Sequence, residues 1–539
     1  MKTKNNASLT ATGYKLISML ITSCFTLSVH SLTFIKVDTN ANSIVEQWHD
    51  TELKQQGGKF GSHGWWPWGV GGFDFDNDGD VDLYLSHHGT PGGKILVNQL
   101  IPKGQLRFDA LSSKTFLPGA DDKPWFFDFD GDGWLDIAAF SDEKKVPYLL
   151  NKESHFVSGR SDDSFSPVSY PKAVSDLNND GYLDLDAGVK GAFIYQPSDG
   201  QFQRDKSFNS DVSPLLAKPY QQIEKDFKAN NKKNRFFRAQ SQQFFINRTP
   251  ELQVSVNPLD LNNDGLADVV VSGFGGYGGD HLGWYFLANQ QKNYSLANEM
   301  LHLPQHATPI FIGDLNADGQ QDIIAVGKGE GDVFLNNDGK FEAQNSILKK
   351  ALNAGAPYLV RIFAVDFDND QDLDIVYSNP RKKYGMVLEN NGKGAFTKVL
   401  NFKGWDSNPI FIADLNNDLR QDLIVGGPDS KSVQVFLNGS TNKQNTLYLY
   451  PRYKSPNPYA VDAVVTVFSG GQLVAQQTAR HDGLPIAVSL GKISKADVVI
   501  SYPNGVEQRY PNLSSNQSYS LMLDGQSYIG FVPANLVAD

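Results

Sequence analysis

Seven times along this 539-residue chain the same nine-residue pattern returns, Asp-x-[Asp/Asn]-x-Asp-x-x-x-Asp. The copies begin at Asp74, Asp128, Asp176, Asp260, Asp314, Asp366 and Asp414, in steps of 54, 48, 84, 54, 52 and 48 residues. Self-similarity at a period of ~20–50 residues points to a repeat architecture, in which each unit buries its apolar face only against its neighbours. Any fold proposed for the chain must place seven equivalent loops equivalently.

The spacing suits a hard divalent cation. Calcium takes about six to eight oxygen ligands at ~2.3–2.6 Å. When a short loop curls around an ion, positions 1, 3 and 5 point inward, position 7 can lend its carbonyl, and position 9 closes the cage. The ligands expected on this basis are Asp74, Asp76, Asp78 and Asp82; Asp128, Asp130, Asp132 and Asp136; Asp176, Asn178, Asp180 and Asp184; Asp260, Asn262, Asp264 and Asp268; Asp314, Asn316, Asp318 and Asp322; Asp366, Asp368, Asp370 and Asp374; and Asp414, Asn416, Asp418 and Asp422. Up to seven Ca²⁺ ions are therefore expected. Glycine at position 6 permits the sharp turn. The last two loops carry Gln371 and Leu419 there, so strain or weaker binding is expected in them. An EF-hand is excluded, because it needs a bidentate Glu at position 12 and flanking helices. Position 12 here is Leu85, Ala139, Ala187, Val271, Ala325, Tyr377 or Val425.

The flanks read as strands. Ile310-Phe311-Ile312 and Ile410-Phe411-Ile412 precede loops, and Leu83-Tyr84-Leu85 and Val269-Val270-Val271 follow them. A third strand ends in Asn98, Asn336 or Asn438, and a fourth centres on Phe108, Phe156, Phe202, Phe341 or Phe396. Four strands per unit and seven units predict an all-β fold, a seven-bladed β-propeller over residues 32–445. The seventh unit lacks a fourth strand, and Thr33 to Val37 matches one, so that segment is expected to close the ring. The long step holds an insertion at about 207–245, read as partly helical and lying over one face. Residues 446–525 read as a small C-terminal β domain, with strands at Val464–Val467 and Val498–Tyr502, followed by a tail at 526–539.

The Asp loops with their following strand and Asn-rich turn resemble FG-GAP/VCBS repeats, the calcium-bearing propeller repeats of integrin α chains and many bacterial surface proteins. The resemblance covers about residues 60–440 and implies a calcium-loaded propeller. Residues 460–467 (AVDAVVTV), 498–505 (VVISYPNG) and Asn516-Gln517 resemble the ASPIC/UnbV domain that follows such propellers in cartilage acidic protein and its bacterial relatives. The Gly-rich middle of that domain is reduced here to His481-Asp482-Gly483.

At the N-terminus, Lys2, Lys4 and Lys15 precede an apolar run from Leu16 to Val29, which reads as a signal peptide ending near Ser31. The run is short for a membrane span, so none is expected in the mature chain. Ile21-Thr22-Ser23-Cys24 also resembles a lipobox, leaving a lipid anchor on Cys24 as an alternative. An exported protein, periplasmic, outer-surface or secreted, follows. Cys24 is the only cysteine, so no disulfide can form within the chain. The net charge of −12 argues against nucleic acid as a partner.

If the Asp loops lie on one face, the segments before the first strand and after the second lie on the other. There the sequence places His63, Trp65, Trp66, Trp68, His87, His88, Trp125, His281, His302, His306, Arg361 and Trp405. Trp65, Trp66, Trp68, Trp125, Arg361 and Trp405 suit stacking and hydrogen bonding to a glycan or protein ligand. His63, His87, His88, His281 and His306 are the candidates if the face instead holds a transition metal or serves an enzyme, for example one acting on polysaccharides. No hydrolase nucleophile motif or phosphate loop is present. The expected function is an exported calcium-binding propeller acting as a binding or adhesion module for a glycan or protein ligand, with the enzyme as the alternative.

Overall fold

The computed structural model describes residues 32–55, 67, 69–87, 93–111, 123–140, 148–158, 173–186, 191–208, 237–240, 243–246, 253–266, 268–274, 281–290, 294–327, 329–353, 360–404, 409–429, 431–441 and 444–537. The fold is all-β, a seven-bladed propeller followed by a β module.

Each blade is a four-stranded antiparallel sheet, and in blades one to six the strands follow in sequential order. The first blade runs through 69–73, 82–86, 94–98 and 108–110, and the second through 123–127, 136–140, 148–151 and 156–158. The third uses 173–175, 184–186, 192–196 and 201–205, and the fourth 253–259, 268–274, 281–288 and 294–296. The fifth uses 307–313, 322–327, 332–337 and 340–343, and the sixth 361–365, 374–379, 384–389 and 397–403. First strands of neighbouring blades approach one another, 69–73 beside 123–127 and 410–413, and 307–313 beside 361–365, which puts them innermost. Every Asp loop joins the first strand to the second, so all seven loops lie on one face.

The ring closes as the missing strand predicts. Blade seven is built from 410–413, 422–426 and 433–438, and its outer strand is 34–37, pairing antiparallel with Phe34 opposite Asn438 and Val37 opposite Val435. The N-terminal strand gives blade seven its fourth strand, so it matches the other six in strand number.

Apolar side chains at loop position 2 anchor the loops: Phe75, Phe129, Leu261, Leu315, Phe367 and Leu415 are all 2% exposed or less. Full burial of such a side chain contributes roughly 1.5–3 kcal/mol. A helix at Ala41–Gln55, absent from the sequence reading, packs Ala41 and Val45 onto the seam between blades one and seven, in one cluster with Leu83, Leu96 and Val435. Asn40 fixes its start by accepting from Phe108 N (2.8 Å) and donating to Phe108 O (2.6 Å). Within the insertion, 237–240 and 243–246 form a β-hairpin rather than a helix, and 209–236 lie outside the described residues.

Strand parity decides where the rest of the chain goes. Blade seven takes its fourth strand from the N-terminus, so the chain leaves it after the third, at Asn438, on the loop face. The C-terminal module therefore begins on that face. It is a sandwich of two four-stranded sheets, 486–491/445–452/517–522/527–529 and 472–478/464–469/495–501/507–514, sharing a core that includes Leu447, Val465, Val488, Val498 and Leu521. Residues 526–539, read from sequence as a tail, supply its edge strand at 527–529 and a 3₁₀ turn at 534–536 whose Ala534 is fully buried against the second blade's cluster.

Candidate metal centres and ligand face

The seven loops repeat one hydrogen-bond scheme. The position-1 carboxylate accepts the N–H of positions 5 and 6: Asp74 takes those of Asp78 and Gly79 at 3.1 and 3.0 Å, and Asp414 those of Asp418 and Leu419 at 3.1 and 2.7 Å. Position 5 accepts the N–H of position 7, as Asp78 does from Asp80 at 2.9 Å. Position 9 has both oxygens engaged by backbone. Asp82 accepts Phe75 N at 2.7 Å and Asn98 N at 2.6 Å, and Asp136 accepts Phe129 N at 2.8 Å and Asn151 N at 2.7 Å. Position 9 thus ties loop to blade as well as facing the cage.

Those bonds leave particular oxygens over. One position-3 oxygen in each of Asp76, Asp130, Asn262 and Asn416 is buried and accepts nothing, as is one oxygen of Asp78. A buried acceptor without a partner costs about 1–3 kcal/mol, more when charged. Unpartnered buried acceptors recurring at the same loop position fit a cation. Three carboxylate groups bring ligand oxygens within 4.8 Å of one another: Asp74, Asp76 and Asp78; Asp128, Asp130 and Asp136; and Asp366, Asp368 and Asp374. The other four loops carry Asn at position 3, whose amide donates to position 5, as Asn262 does to Asp264 at 3.0 Å.

Without a cation these acids resist ionisation. Burial, then repulsion between neighbours, pushes Asp76 up to about 6. Burial likewise raises Asp184, Asp268 and Asp322 to about 6, Asp366 and Asp414 to about 7, and Asp422 to about 8. Asp74, Asp82, Asp128, Asp136 and Asp374 are raised well above the ordinary carboxylate range for the same reasons.

Two carboxylates were missed by reading only positions 1, 3, 5 and 9. Asp80 and Asp372 stand at position 7 of loops one and six, 1% and 8% exposed, each with an oxygen that accepts no bond. Burial raises them to about 7 and about 8. Loops one and six thus hold five aspartates each. Two loops carry their own cationic side chain: Lys152 bridges Asp130 and Asp132, and Arg420 pairs with Asp418 at 2.6 Å.

The strain expected in the last two loops is present. Position 6 is left-handed throughout, and Gln371 and Leu419 adopt φ of 80° and 64°. That conformation costs a non-glycine residue roughly 1–2 kcal/mol, part of which glycine returns through chain entropy of roughly 0.5–1 kcal/mol. Leu419→Gly should therefore stabilise the chain by about 0.5–1 kcal/mol in urea denaturation. A clear loss of stability would show instead that the leucine side chain is held by packing.

The third-strand asparagines do more than end a strand. Each sends its amide to the position-2 carbonyl of the preceding blade's loop: Asn151 to Phe75 (2.8 Å), Asn336 to Leu261 (3.1 Å), Asn390 to Leu315 (2.7 Å), Asn438 to Phe367 (2.7 Å) and, across the closure, Asn98 to Leu415 (3.1 Å). Blades three and four carry Tyr195 and Ala288 at this place. Loop geometry is in this way coupled to the seams between blades.

The C-terminal module sits on the loops. Ser455 Oγ donates to Gly131 O (2.8 Å) and Tyr459 OH to Gly133 O (3.0 Å). Phe531 packs on Gly79, and a Cβ at Gly133 would meet Asn535 Cα at 2.3 Å. Gln421 of loop seven donates to Tyr448 OH (2.6 Å). Arg452, 2% exposed, places its guanidinium 5.3–5.5 Å from the rings of Tyr450, Tyr459 and Phe531 and donates to Val532 O (2.9 Å).

Of the residues assigned to the opposite face, Trp125 is placed differently. It stacks on His481 of the module (4.9 Å, 22°), whose ring nitrogen lies 2.8 Å from Phe126 O, so its ring meets the module. His87 is 3% exposed at the end of strand 82–86. His281 begins strand 281–288, opposite Phe274. Arg361 begins strand 361–365 and is exposed. His302 and His306 are exposed on the connection between blades four and five, where His306 N donates to Glu330 (3.2 Å). His63, Trp65, Trp66, Trp68, His88 and Trp405 lie outside the described residues.

Four segments match the FG-GAP-like repeat, at 128–185, 260–325, 314–377 and 366–425, spanning loops two to seven. The chain thus carries FG-GAP-like repeats, as its motifs suggest. No curated protein matches it. Among solved structures it is similar to the extracellular domain of the one-component system BT4673 from B. thetaiotaomicron, at 10% identity and a TM-score of 0.31 over 92% of this chain and 60% of that one. It is similar also to the Photorhabdus luminescens Tc holotoxin pore, at 13% identity and a TM-score of 0.28 over 78% of this chain and 21% of that one. The chain spans less than two thirds of either structure. Among the described residues no helix is long and apolar enough to cross a membrane.

Proposed function

We propose that the chain is an exported propeller clamped by up to seven calcium ions, which binds a glycan or protein ligand on the face opposite its Asp loops and carries a C-terminal module of the ASPIC/UnbV type. Calcium is favoured by all-oxygen donor sets in loops with several carboxylates and no nitrogen or sulfur ligand. Export is supported by the basic and then apolar N-terminal sequence.

One observation carries the choice of face. The module covers much of the loop face, while the opposite face holds a cleft of about 350 Å³ between blades four and five. That is within the usual ~300–1,000 Å³ of small-ligand sites. Glu299, His302, Glu330 and Lys349 line it with Leu303 and Phe334. Asp332, 1% exposed, lines it too, with an oxygen that accepts no hydrogen bond and lies 3.5 Å from Lys349 Nζ. Carboxylate acceptors beside an apolar floor suit the hydroxyl and amine donors of a sugar. Screening the calcium-loaded chain against a glycan array should yield a ligand. Asp332→Asn and Glu330→Gln together should weaken it at least tenfold by calorimetry. Unchanged affinity in the double variant would move the site off this cleft. Turnover of a bound polysaccharide, or a transition metal in the purified chain, would favour the enzyme alternative.

A further inference from the structure

The module does not rest on the loop face evenly. Gly79 lies under Phe531, Gly131 under Pro456 and Gly133 under Asn535, and loop seven meets Tyr448 through Gln421. Position-6 glycines of loops four and five, Gly265 and Gly319, have nothing within 4 Å of where a Cβ would be. Exposure follows the same division: Asp78, Asp132 and Asp418 at position 5 are partly covered, while Asp264 and Asp318 are exposed.

The module also reaches into the channel mouth. Its turn at 480–485 stacks His481 on Trp125 and buries Leu484, 9% exposed, in the cluster of blades one and seven with Val81 and Leu415. The groups it grips include main-chain carbonyls of the loops, those of Gly131 and Gly133. Their positions depend on how each loop is curled. Beneath them lie the four acids of loop two, two of them bridged by Lys152, and the five of loop one, crowded like charges whose repulsion a bound ion would relieve.

We infer that the loop face is a calcium-dependent docking surface whose partner is the chain's own C-terminal module, which seals the ions of loops one, two and seven and leaves those of loops four and five open to solvent. Loops three and six lie at its edge, touched through Pro456 beside Gly181 and Gly491 beside Gln371. Calcium bound to the chain then falls into two kinetic classes. Ordering of the module on the propeller is linked to filling of the sealed loops, because anything that binds the docked state alone stabilises it. This rests on the proposal that the loops bind calcium. Absence of bound calcium would defeat that reading before any exchange is measured, so the two failures are distinct.

The test is exchange of radioactive calcium from the loaded full chain into excess unlabelled calcium. Two phases are expected, separated at least tenfold in rate. Asp264→Ala with Asp318→Ala should remove amplitude from the fast phase alone, and Asp78→Ala from the slow phase alone. Phe531→Asp, a change at the contact between the module and loop one, should convert slow amplitude to fast. A single phase, or a slow phase unmoved by Phe531→Asp, overturns the inference. Hydrogen exchange of the same full chain guards against misfolding. On calcium removal, amides at 455–461 and 530–537 should lose protection while the sandwich strand 464–469 keeps it. Equal loss in both would mean that the module unfolds rather than undocks, and would also overturn it.

Discussion

Stripped of metal at pH 8, the full chain melts about 10 °C or more below its calcium-loaded form, and the difference shrinks at pH 5. The magnitude follows from mass action. An ion held at a hundredfold over its Kd stabilises the native state by about 2.7 kcal/mol, and several such sites act together. Large domains shift by ~2–4 °C per kcal/mol or somewhat less. The pH dependence follows from the acids. In the metal-free native chain Asp184, Asp268 and Asp322 titrate near 6, Asp366 and Asp414 near 7, and Asp422 near 8, all above the 3.8 of a free side chain, because of burial and then mutual repulsion. The native state therefore binds more protons than the unfolded one between pH 4 and 8. Metal-free stability is fully present below about pH 4 and is lost as pH rises through that window. A bound ion reverses the sign, since it holds the same carboxylates ionised. Melting curves at both pH values, with and without calcium, check this. A metal-free chain that gains stability from pH 5 to pH 8 would contradict it.

The second large effect separates two kinds of aspartate within one loop. Asp82→Ala should destabilise the chain by about 3–5 kcal/mol whether or not calcium is present. It is fully buried, and its loss leaves Phe75 N–H and Asn98 N–H without acceptors. Each such orphan costs about 1–3 kcal/mol. Asp76→Ala should behave in the opposite way. Its Oδ1 is buried and accepts nothing, and its charge adds to the repulsion in the loop. Without calcium the variant should be as stable as the parent or slightly more so, and with calcium it should lose the increment contributed by loop one. Urea denaturation of both variants in both conditions gives four numbers. Equal calcium-independent losses would mean that position 3 is a structural residue and not a ligand.

What could be read in the sequence was what repeats. Seven copies of one loop placed the blades, and Thr33–Val37 could be assigned as the missing fourth strand of the last unit because it matches the aromatic fourth strands of the others. Position 6 in the last two loops announced its own strain, since only a backbone needing φ > 0 would make glycine so regular in the other five. Features that occur once were harder. The helix at 41–55 mixes Ala41, Ile44, Val45 and Trp48 with charged residues and owes its place to a seam that exists only after the ring closes. Trp125 looked like a ligand-stacking residue because its neighbour, His481, stands in the C-terminal module, on the turn that also meets Phe126 O. Asp80 and Asp372 were visible, but a template of four ligand positions passed over the fifth carboxylate. The module's side of the ring follows from counting strands in the last blade, whereas its grip on Gly131, Gly133 and Gly79 depends on side chains that no local pattern pairs.

Equilibrium dialysis of the full chain against calcium, with metal analysis per chain, tests the central claim most directly. The loop geometry predicts binding that rises towards seven calcium ions per chain and falls by one for each position-1 Asp→Ala variant. A chain that retains no calcium above a non-binding control at millimolar concentration would contradict it.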